Sequence, residues 1–319
     1  MLRKLTGIVL MVLLTALLLC GCGSTATEKH VVDGKLYHVV TDATGREVEV
    51  PVVPKRIVSL TLGTDELLMD LVPTDRIAAL TYLSDDPGIS HIADRSAAVP
   101  VKVRGTSAEQ IIRLHPDLVL IPDWWRLETL DTLRQAGLSV YVYKTPYTVA
   151  DVKKTITEVA ALVGEETQGH EMLREFDSKI GDIQKHVYRH RELPERSALA
   201  ITGKGAYGTK GSLYDDMCSY AHIVNCLKHL ELDDNATISK EIIIQQDPDV
   251  IILPTWDAPG MLKVEKRDSI LKDPSLSTVS AVKNGSVRTV PGKCLYCVSQ
   301  YTADEIRNLA EAVYPEAFR

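Results

Sequence analysis

The side chains best suited to hold a ligand are aromatic, and they follow predicted strands. All three tryptophans and several of the twelve tyrosines come just after short apolar runs. Tyr and Trp offer flat apolar area with one polar atom, which suits a large, partly polar ligand. Any one of them could instead pack on the surface of its own domain. The predicted ligand-binding residues, with one lysine suited to an anionic group, are Tyr82, Trp124, Trp125, Tyr147, Tyr207, Lys210, Trp256, Tyr296 and Tyr301.

Two carboxylates occupy the same place in an internal repeat. The stretch SAEQIIRLHPDLVLIPDW, residues 107–124, returns without a gap as SKEIIIQQDPDVIILPTW, residues 239–256. Each copy predicts a serine-capped helix, a Pro-Asp break, a buried strand and a tryptophan. Glu109 and Glu241 are the second helical residues, where the helix dipole stabilises a carboxylate by about 0.3–1 kcal/mol. Capping accounts for each copy alone, but not for the recurrence of glutamate in both.

The elements around these residues predict two related α/β lobes. Strands alternate with helices on both sides of a span without strand signals, which is typical of parallel βαβ units in three layers. Within that span, apolar residues from Met172 to Val187 predict one amphipathic helix of roughly 25 residues. We expect an N-terminal lobe over 37–148, a helical linker over 149–194 and a C-terminal lobe over 195–319. Ligands of such sheets bind at the carboxyl ends of strands, here across a cleft between the lobes.

The amino terminus reads as an export signal. A short basic start and an apolar run over 8–19 precede small residues, so residues 1–21 are interpreted as a signal peptide. An uncleaved anchor helix is the alternative. Leu19-Cys20-Gly21-Cys22 resembles the bacterial lipobox, which makes Cys22 the predicted lipidation site and residues 22–36 a tether. The resemblance implies a lipoprotein held outside the cytoplasmic membrane by its acyl chains.

Charge and cysteine content narrow the function further. The formal net charge is −7, which argues against nucleic acid and against an electrostatically bound membrane surface. Cys218 and Cys226 lie in apolar helical context and are expected to be buried thiols. Cys294 and Cys297 form a lone CxxC, for which we favour a local disulfide because an exported protein permits one.

Two other classes of protein compete with a chelate-binding module. An exported enzyme lacks support, since neither GxSxG nor HExxH occurs in the sequence. His186 and His190 are spaced i, i+4 and could hold a metal, but a solvated helix face is favoured. A binder of a bare ion would need converging His and carboxylates, and the remaining histidines share no such spacing. We therefore expect no enzymatic activity, cofactor or resident metal.

Five segments together resemble one known family. DATGREVEVP, PKRIVSLTLGTDELLMDL, the two repeat copies and VSAVKNGSVRTVPG resemble the substrate-binding lipoproteins of ABC importers for iron-siderophores, haem and cobalamin, over about residues 38–314. The resemblance implies two α/β lobes joined by one rigid helix, with the ligand in a cleft between them. It implies that Glu109 and Glu241 form salt bridges to arginines of the membrane permease.

The resemblance also implies the partners and the cargo. The partners would be an ABC permease with its ATPase, and the protein would be a lipid-anchored monomer in a periplasm or on a Gram-positive surface. The cargo is expected to be an iron complex, either a siderophore or haem, with cobalamin as the alternative. Tyr82 lies in a loop suited to ligate haem iron, and TYLSDDPG, residues 81–88, is similar to a loop of cobalamin binders.

Overall fold

The computed structural model describes residues 29–318, except 33, 106, 190–193, 203–204, 233–235, 237 and 257–266. The predicted signal peptide and Cys22 lie outside the described residues. None of the helices in the described part of the chain is both long and apolar enough to cross a membrane.

Strands and helices alternate along most of the chain. The strands are β1 (Lys29–Val32), β2 (Lys35–Thr41), β3 (Glu47–Pro51), β4 (Ile57–Ser59), β5 (Ile77–Thr81), β6 (Lys102–Val103), β7 (Leu118–Pro122), β8 (Val140–Tyr143), β9 (Arg196–Thr202), β10 (Gly205–Ala206), β11 (Ile223–Asn225), β12 (Val250–Pro254) and β13 (Val287–Val290). The helices are α1 (Leu62–Leu71), α2 (Ala108–Ile112), α3 (Leu127–Gln135), α4 (Val149–Val163), α5 (Glu166–Arg189), α6 (Leu213–Tyr220), α7 (Lys240–Gln246), α8 (Arg267–Leu271), α9 (Ser280–Lys283), α10 (Lys293–Tyr296) and α11 (Thr302–Val313).

The first sheet has five parallel strands in the order β6-β5-β4-β7-β8. Its central strands β4 and β7 are buried along their whole length, as expected when helices cover both faces of a parallel sheet. The strand order reverses at β4, between β5 and β7. Such a reversal leaves a crevice at the carboxyl ends of the strands, which is where α/β sheets place their ligands.

The second sheet is built in the same way around β9. Strand β9 pairs in parallel with β11 and β12 and antiparallel with β10, and β12 pairs in parallel with β13. Like β7, β12 is buried at every position. The two sheets and their helices confirm the predicted mixed α/β fold class with parallel sheets.

Two packed helices connect the sheets. Helix α4 ends at Val163. The next residue, Gly164, caps it with a left-handed φ of 74° and turns the chain into α5. Helix α5 has 24 residues, or about 36 Å at 1.5 Å per residue. Its predicted apolar stripe is buried at Met172, Phe176 and Ile183. The predicted amphipathic helix is therefore confirmed.

The serine and the aspartate that recur in both copies of the repeat make the same kinds of hydrogen bond in each. Ser107 accepts a hydrogen bond from the Gln110 backbone N–H, and Ser239 accepts one from Ile242. The carboxylate of Asp117 accepts from the backbone N–H groups of Lys55 and Arg56, both at 2.8 Å. These contacts tie the start of the neighbouring strand β4 to β7.

Asp249 does the same for the second sheet. Its Oδ2 accepts from the Ser197 backbone N–H at 2.8 Å and from the Ser197 hydroxyl at 2.9 Å. Ser197 lies at the start of β9, the strand that pairs with β12. The serine and aspartate thus have the same folding role in both copies, and the exposed glutamate adds a carboxylate to the first helical turn of each.

The stretch predicted as a tether is partly a strand. Residues 29–32 form β1, which pairs antiparallel with β2, and β2 pairs with β3 around the predicted Thr44-Gly45 turn. The tether prediction is therefore wrong for Lys29–Val32. Two adjacent valines, Val31 and Val32, are too short an apolar run to distinguish a strand from a polar linker in the sequence.

The last helical region of the chain joins the two lobes. Residues from both sheets, the linker helices and α11 belong to one apolar core. Polar contacts add to it: the buried Glu66 of α1 accepts hydrogen bonds from the Ser299 hydroxyl at 2.5 Å and from the His91 backbone N–H at 2.9 Å. Gln300 donates to the Glu66 carbonyl oxygen at 2.9 Å. The lobes therefore share an interior as well as a cleft.

The predicted disulfide between Cys294 and Cys297 is not formed. Both are free, buried thiols. Cys297 lies 3.8 Å from the Glu66 carboxylate and 3.4 Å from the Ser299 hydroxyl, and burial raises its pKa well above the usual value. Cys297 thus packs against the first lobe, whereas Cys294 lies beside Glu305 of α11. The expectation of buried thiols at Cys218 and Cys226 is confirmed.

Candidate functional site

A cavity of about 450 Å³ lies between the lobes, and we call it the cleft cavity. Strand ends of both sheets and helix α4 contribute to its walls. Its lining residues are Thr61, Leu62, Gly63, Thr64, Tyr82, Leu83, Ile89, Pro122, Trp124, Tyr143, Thr145, Pro146, Thr155, Trp256, Tyr296 and Val298. A cavity of this size and composition is typical of a small-molecule site.

Four of the predicted aromatic residues meet in this cavity. Tyr82 and Trp124 come from the first lobe, just after β5 and β7, while Trp256 and Tyr296 come from the second. The sequence placed them at strand ends, and the parallel sheets bring those ends to the cleft. An aromatic wall on each side suits a ligand with large flat or apolar surfaces.

Trp256 is fixed by contacts that cross between the lobes. Its indole N–H donates to Asp86 Oδ2 at 2.8 Å, and its ring packs edge-on against Tyr296 with centroids 5.7 Å apart. Gly88 and Gly292 leave room for the ring, since a Cβ at either would come within 2.6 Å of a Trp256 atom. Trp256 is therefore both a cavity wall and a bridge between lobes.

The first-lobe wall is less restrained. Trp124 is 64% exposed, and its nearest aromatic neighbour is Trp125, 5.5 Å away between ring centroids. The guanidinium of Arg104 lies over the Tyr82 ring at 4.6 Å from the centroid, a favourable cation–π contact. The wall thus has one tyrosine held by a cation–π contact and one largely exposed tryptophan.

Hydroxyl groups form the polar part of the cavity. The Thr61 hydroxyl lies 2.6 Å from the Tyr143 hydroxyl and 2.9 Å from that of Thr64. Burial raises the pKa of Tyr143, so this phenol stays protonated and can donate or accept. These groups were missed in the sequence because Tyr143 was assigned only to its strand, although it is the last residue of that strand.

Beneath the cavity, Asp65 is a buried carboxyl group. Its Oδ2 accepts from the backbone N–H of Thr81 at 3.0 Å and from the Thr81 hydroxyl at 2.5 Å. Burial raises the pKa of Asp65 to about 8. At neutral pH this group is therefore mainly uncharged. Among the described residues that line the cavity, none has an ionised side chain, and the floor adds no negative charge.

The other predicted ligand residues lie elsewhere. Tyr147 and Lys210 are exposed and do not line the cleft cavity. Tyr207 is half-buried, donates a hydrogen bond to the Leu295 carbonyl oxygen and packs edge-on against Tyr296 with ring centroids 5.2 Å apart. It supports the wall from behind. Trp125 borders a neighbouring pocket.

Tyr301 is engaged in contacts away from the cleft. Its hydroxyl donates to Asp70 Oδ2 at 2.7 Å and accepts from Arg95 at 2.7 Å, and its ring stacks on His91 at 4.4 Å. It lines a separate cavity beside α5. The late loop that looked aromatic-rich in sequence is thus divided between the cleft and the junction of the lobes.

Glu109 and Glu241 are both exposed in the first turn of a short helix. Neither is in an ion pair with another described side chain. Hydrogen bonds to its own backbone N–H and to Ser239 lower the pKa of Glu241, so it is charged at neutral pH. No group of three or more His, Cys, Asp or Glu in the described part of the chain is arranged to hold a metal ion.

Comparisons with known proteins agree with this architecture. Residues 57–294 match the family described as periplasmic binding protein. An uncharacterized ABC transporter substrate-binding lipoprotein of Bacillus subtilis, YvrC, is 25% identical, covering 99% of each chain. A cobalamin-binding protein of Halobacterium salinarum is 24% identical over 66% of this chain and 57% of its own length. The solved structure of the periplasmic heme-binding protein RhuT from Roseiflexus covers 82% of this chain and 99% of its own, with a TM-score of 0.68 at 21% identity.

Proposed function

Because the chain belongs to the periplasmic binding protein family, we propose that it captures a bulky metal chelate in the cleft cavity and delivers it to an ABC permease. The observation that carries the proposal is the aromatic lining of the cleft cavity. Aromatic residues of both lobes face a cavity whose described lining has hydroxyl groups but no ionised side chain. Such a site gains affinity from apolar contact and orientation from a few polar groups.

The charge of the cavity limits the class of cargo. An anionic chelate that turned its charge inward would be desolvated there without a cationic partner among the described residues, which is costly. We therefore favour an iron complex that presents an uncharged surface to the cavity. A neutral ferric hydroxamate fits this requirement. Haem fits it if its two carboxylates face the solvent at the open side.

A corrinoid is the second candidate. It is supported by the uncharged aromatic walls and by the similarity to a cobalamin-binding protein over two thirds of the chain. A corrinoid carries many neutral amide groups at its edge, and the hydroxyls of Thr61 and Tyr143 are suited to bond them. The two candidates differ in the metal and in the shape of the ring, so binding assays separate them.

Docking to the permease is assigned to Glu109 and Glu241. Folding contacts explain the repeated serine and aspartate of each unit, but neither glutamate has an ion-pair partner among the described side chains. An exposed carboxyl group without an ion pair among the described side chains, at the same place in both lobes, fits a role in recognition. Charges of this kind orient a complex and speed association more than they add affinity.

The cellular setting follows from the same proposal. YvrC, a relative that matches this chain along almost its whole length, is described as a lipoprotein of an ABC transporter, and Cys22 is our candidate for the same modification. We propose a monomer, lipid-anchored through Cys22 on the outer side of the membrane, that performs no catalysis. Its working partners are the permease and the ATPase attached to it.

Tryptophan fluorescence tests the cargo directly, since all three indoles lie in or beside the cleft. Purified protein is titrated with a ferric hydroxamate, a ferric catecholate, haem and cobalamin, each of which absorbs light and quenches nearby indoles. We expect saturable quenching by a chelate other than the catecholate. Trp124→Phe and Trp256→Phe should each reduce the amplitude.

The possible results separate the candidates. Saturation by cobalamin alone selects the corrinoid, and saturation by haem or the hydroxamate selects the iron complex. Tight binding of the catecholate alone would contradict the argument from charge. Binding that persists unchanged in a Trp124→Ala, Trp256→Ala double variant would place the cargo outside the cleft cavity.

A further inference from the structure

A second, smaller pocket opens beside the cleft cavity, and we call it the side pocket. Its volume is about 310 Å³. Part of its lining is shared with the cleft cavity, namely Thr61, Leu62, Tyr82, Leu83 and Trp124. The rest belongs to the side pocket alone, namely Leu60, Thr81, Val103, Gly105 and Trp125. The two spaces therefore adjoin along one row of residues.

The side pocket is built on rigid parts of the first lobe. Leu60 and Val103 stand at the carboxyl ends of β4 and β6, are 4% and 3% exposed, and belong to the apolar core under that sheet. Trp125 packs against the same core. A pocket with such walls is present before any ligand arrives, so little ordering is needed on binding.

Its chemistry differs from that of the cleft cavity. Apart from the hydroxyls of Tyr82 and two threonines and the indole nitrogens of Trp124 and Trp125, the described side chains of the lining are carbon, and none is ionised. The indole N–H of Trp125 is buried and has no hydrogen-bond partner among the described residues. An apolar group matches these walls.

Its position indicates what fills it. A group in the side pocket passes beside Tyr82 and Trp124, the same residues that wall the cleft cavity. Arg104 holds the Tyr82 ring from its face at 4.6 Å, and Trp124 is 64% exposed beside it. A substituent of the cargo reaches this space without leaving the cleft, whereas a separate molecule would compete for the shared walls.

We propose that the side pocket is a second subsite, which takes an alkyl or aryl substituent of the same chelate whose metal-bearing part lies in the cleft cavity. The inference rests on the proposed function and deepens it. It describes the cargo as asymmetric, with a polar metal centre and one apolar arm. The subsite would select chelates with such an arm over chelates without one.

A pair of matched chelates tests the selection. Binding is measured for a neutral ferric trihydroxamate and for the same compound with an appended butyl group. Burial of that group should tighten binding at least about tenfold, given the usual gain per buried methylene. Val103→Phe, which fills the side pocket, should remove this gain and leave the affinity of the parent compound within about twofold. Equal affinity of the two chelates for the unaltered protein overturns the proposal.

Val298→Phe is the matched control, because it makes the same substitution in the lining of the cleft cavity only. It should weaken both chelates alike and preserve the ratio between them. A ratio that falls equally in both variants would mean that the butyl group lies in the cleft cavity. That result would contradict a separate subsite.

A neutral apolar probe separates failure of this inference from failure of the proposed function. N-phenyl-1-naphthylamine, which carries no metal, should bind saturably to the unaltered protein and at least about tenfold more weakly to Val103→Phe. Val298→Phe should change its affinity less than about threefold. If no chelate binds but the probe behaves in this way, the proposed cargo is wrong and the apolar subsite stands.

Folding of the variants is checked by their unfolding temperature. If Val103→Phe does not fold, Trp125→Leu takes its place, since Trp125 is only partly buried and lies in a loop. Loss of that wall should weaken the probe at least about fivefold. Absence of saturable probe binding to the unaltered protein, or binding that neither variant changes, overturns the subsite.

Discussion

The two copies of the repeated unit make the same folding contacts and differ at the tryptophan that ends each one. Trp124 is 64% exposed, with Trp125 as its aromatic neighbour. Trp256 donates to Asp86 of the other lobe and is enclosed by two glycines. The same position of the repeat thus carries a largely exposed tryptophan in one lobe and, in the other, a tryptophan that is hydrogen-bonded across the cleft. Repetition in sequence conserves how a lobe is built more closely than how it is used.

The largest expected effect concerns the glutamate that the two copies share. Replacing Glu109 and Glu241 together by alanine should lower uptake of cargo in cells at least about 100-fold, because charge pairs at an interface contribute several kcal/mol when they are close. The affinity of the purified protein for cargo should stay within about twofold. Uptake is measured with labelled chelate, and affinity by fluorescence.

The control for this pair removes two exposed carboxylates far from the repeats. Glu47→Ala with Glu171→Ala changes the net charge by the same amount and should leave uptake unchanged. Each single variant, Glu109→Ala or Glu241→Ala, should fall between the double variant and the unaltered protein. Normal uptake in the double variant would remove the docking assignment and leave capping as the role of both glutamates.

The buried carboxyl group of Asp65 in the first lobe should make the stability of the protein depend on pH. The folded-state pKa of Asp65 is about 8, above the value of roughly 3.9 expected in the unfolded chain. The folded state therefore holds a proton that the unfolded state has lost. The stabilising effect is fully present below about pH 4 and disappears as the pH rises toward 8.

We therefore expect the free energy of unfolding to fall by about 2–3 kcal/mol from pH 5 to pH 7 through this group alone. Asp65→Asn keeps an uncharged acceptor for Thr81 and should remove most of that slope. In the second lobe, Asp215 of α6 accepts from the Asn225 side chain at 2.9 Å, and Asp215→Asn serves as the control. Urea denaturation at several pH values measures all three proteins. Equal slopes in all of them would mean that Asp65 is ionised in the folded state.

The shared contacts of the two repeats should be equally important for folding. Asp117→Ala and Asp249→Ala each remove a carboxylate that accepts two hydrogen bonds, at a cost of about 2 kcal/mol. The two losses should agree to within about 1 kcal/mol in urea denaturation. Asp→Asn at either position keeps one acceptor oxygen and should recover part of the loss. A large effect in one copy only would show that the lobes do not use this contact alike.

The smallest expected effect separates the two tryptophans. Trp256→Phe removes the indole donor from Asp86 Oδ2, leaves only the Gly88 backbone N–H on Oδ1, and should lower stability by about 1–2 kcal/mol. Trp124→Phe alters a mainly exposed side chain and should change stability by less than about 0.5 kcal/mol. Thermal unfolding of both variants measures the difference. Equal stabilities would mean that the bond between Trp256 and Asp86 makes no net contribution.

The sequence predicted features that depend on local periodicity. Helix α5 follows from apolar residues such as Met172 and Phe176 at helical spacing, and the strands IAALT and SVYVYK follow from short buried runs. The meeting of Tyr82, Trp124 and Trp256 in one cavity required only the rule that parallel strands end at the same edge. These conclusions need no knowledge of which loops contact each other.

Features that depend on contacts between distant loops could not be predicted. Cys297 and Tyr301 lie close together in sequence and near Tyr296, yet they face Glu66 and Asp70 at the junction of the lobes. Nothing local distinguishes a tyrosine that faces the cleft from one that faces α1. For the same reason a disulfide looked reasonable for Cys294 and Cys297, since spacing alone does not reveal a buried carboxylate beside each thiol.

The apolar core shared by both lobes has a consequence for how the molecule fails. Each lobe has a smaller apolar core of its own, but residues of α1, α5 and α11 belong to one larger interior that both lobes share. Unfolding should then be a single cooperative event, with no surviving half that still holds a wall of the site. A destabilising substitution in either lobe should therefore lower the amount of folded protein and leave the cargo affinity of each folded molecule unchanged.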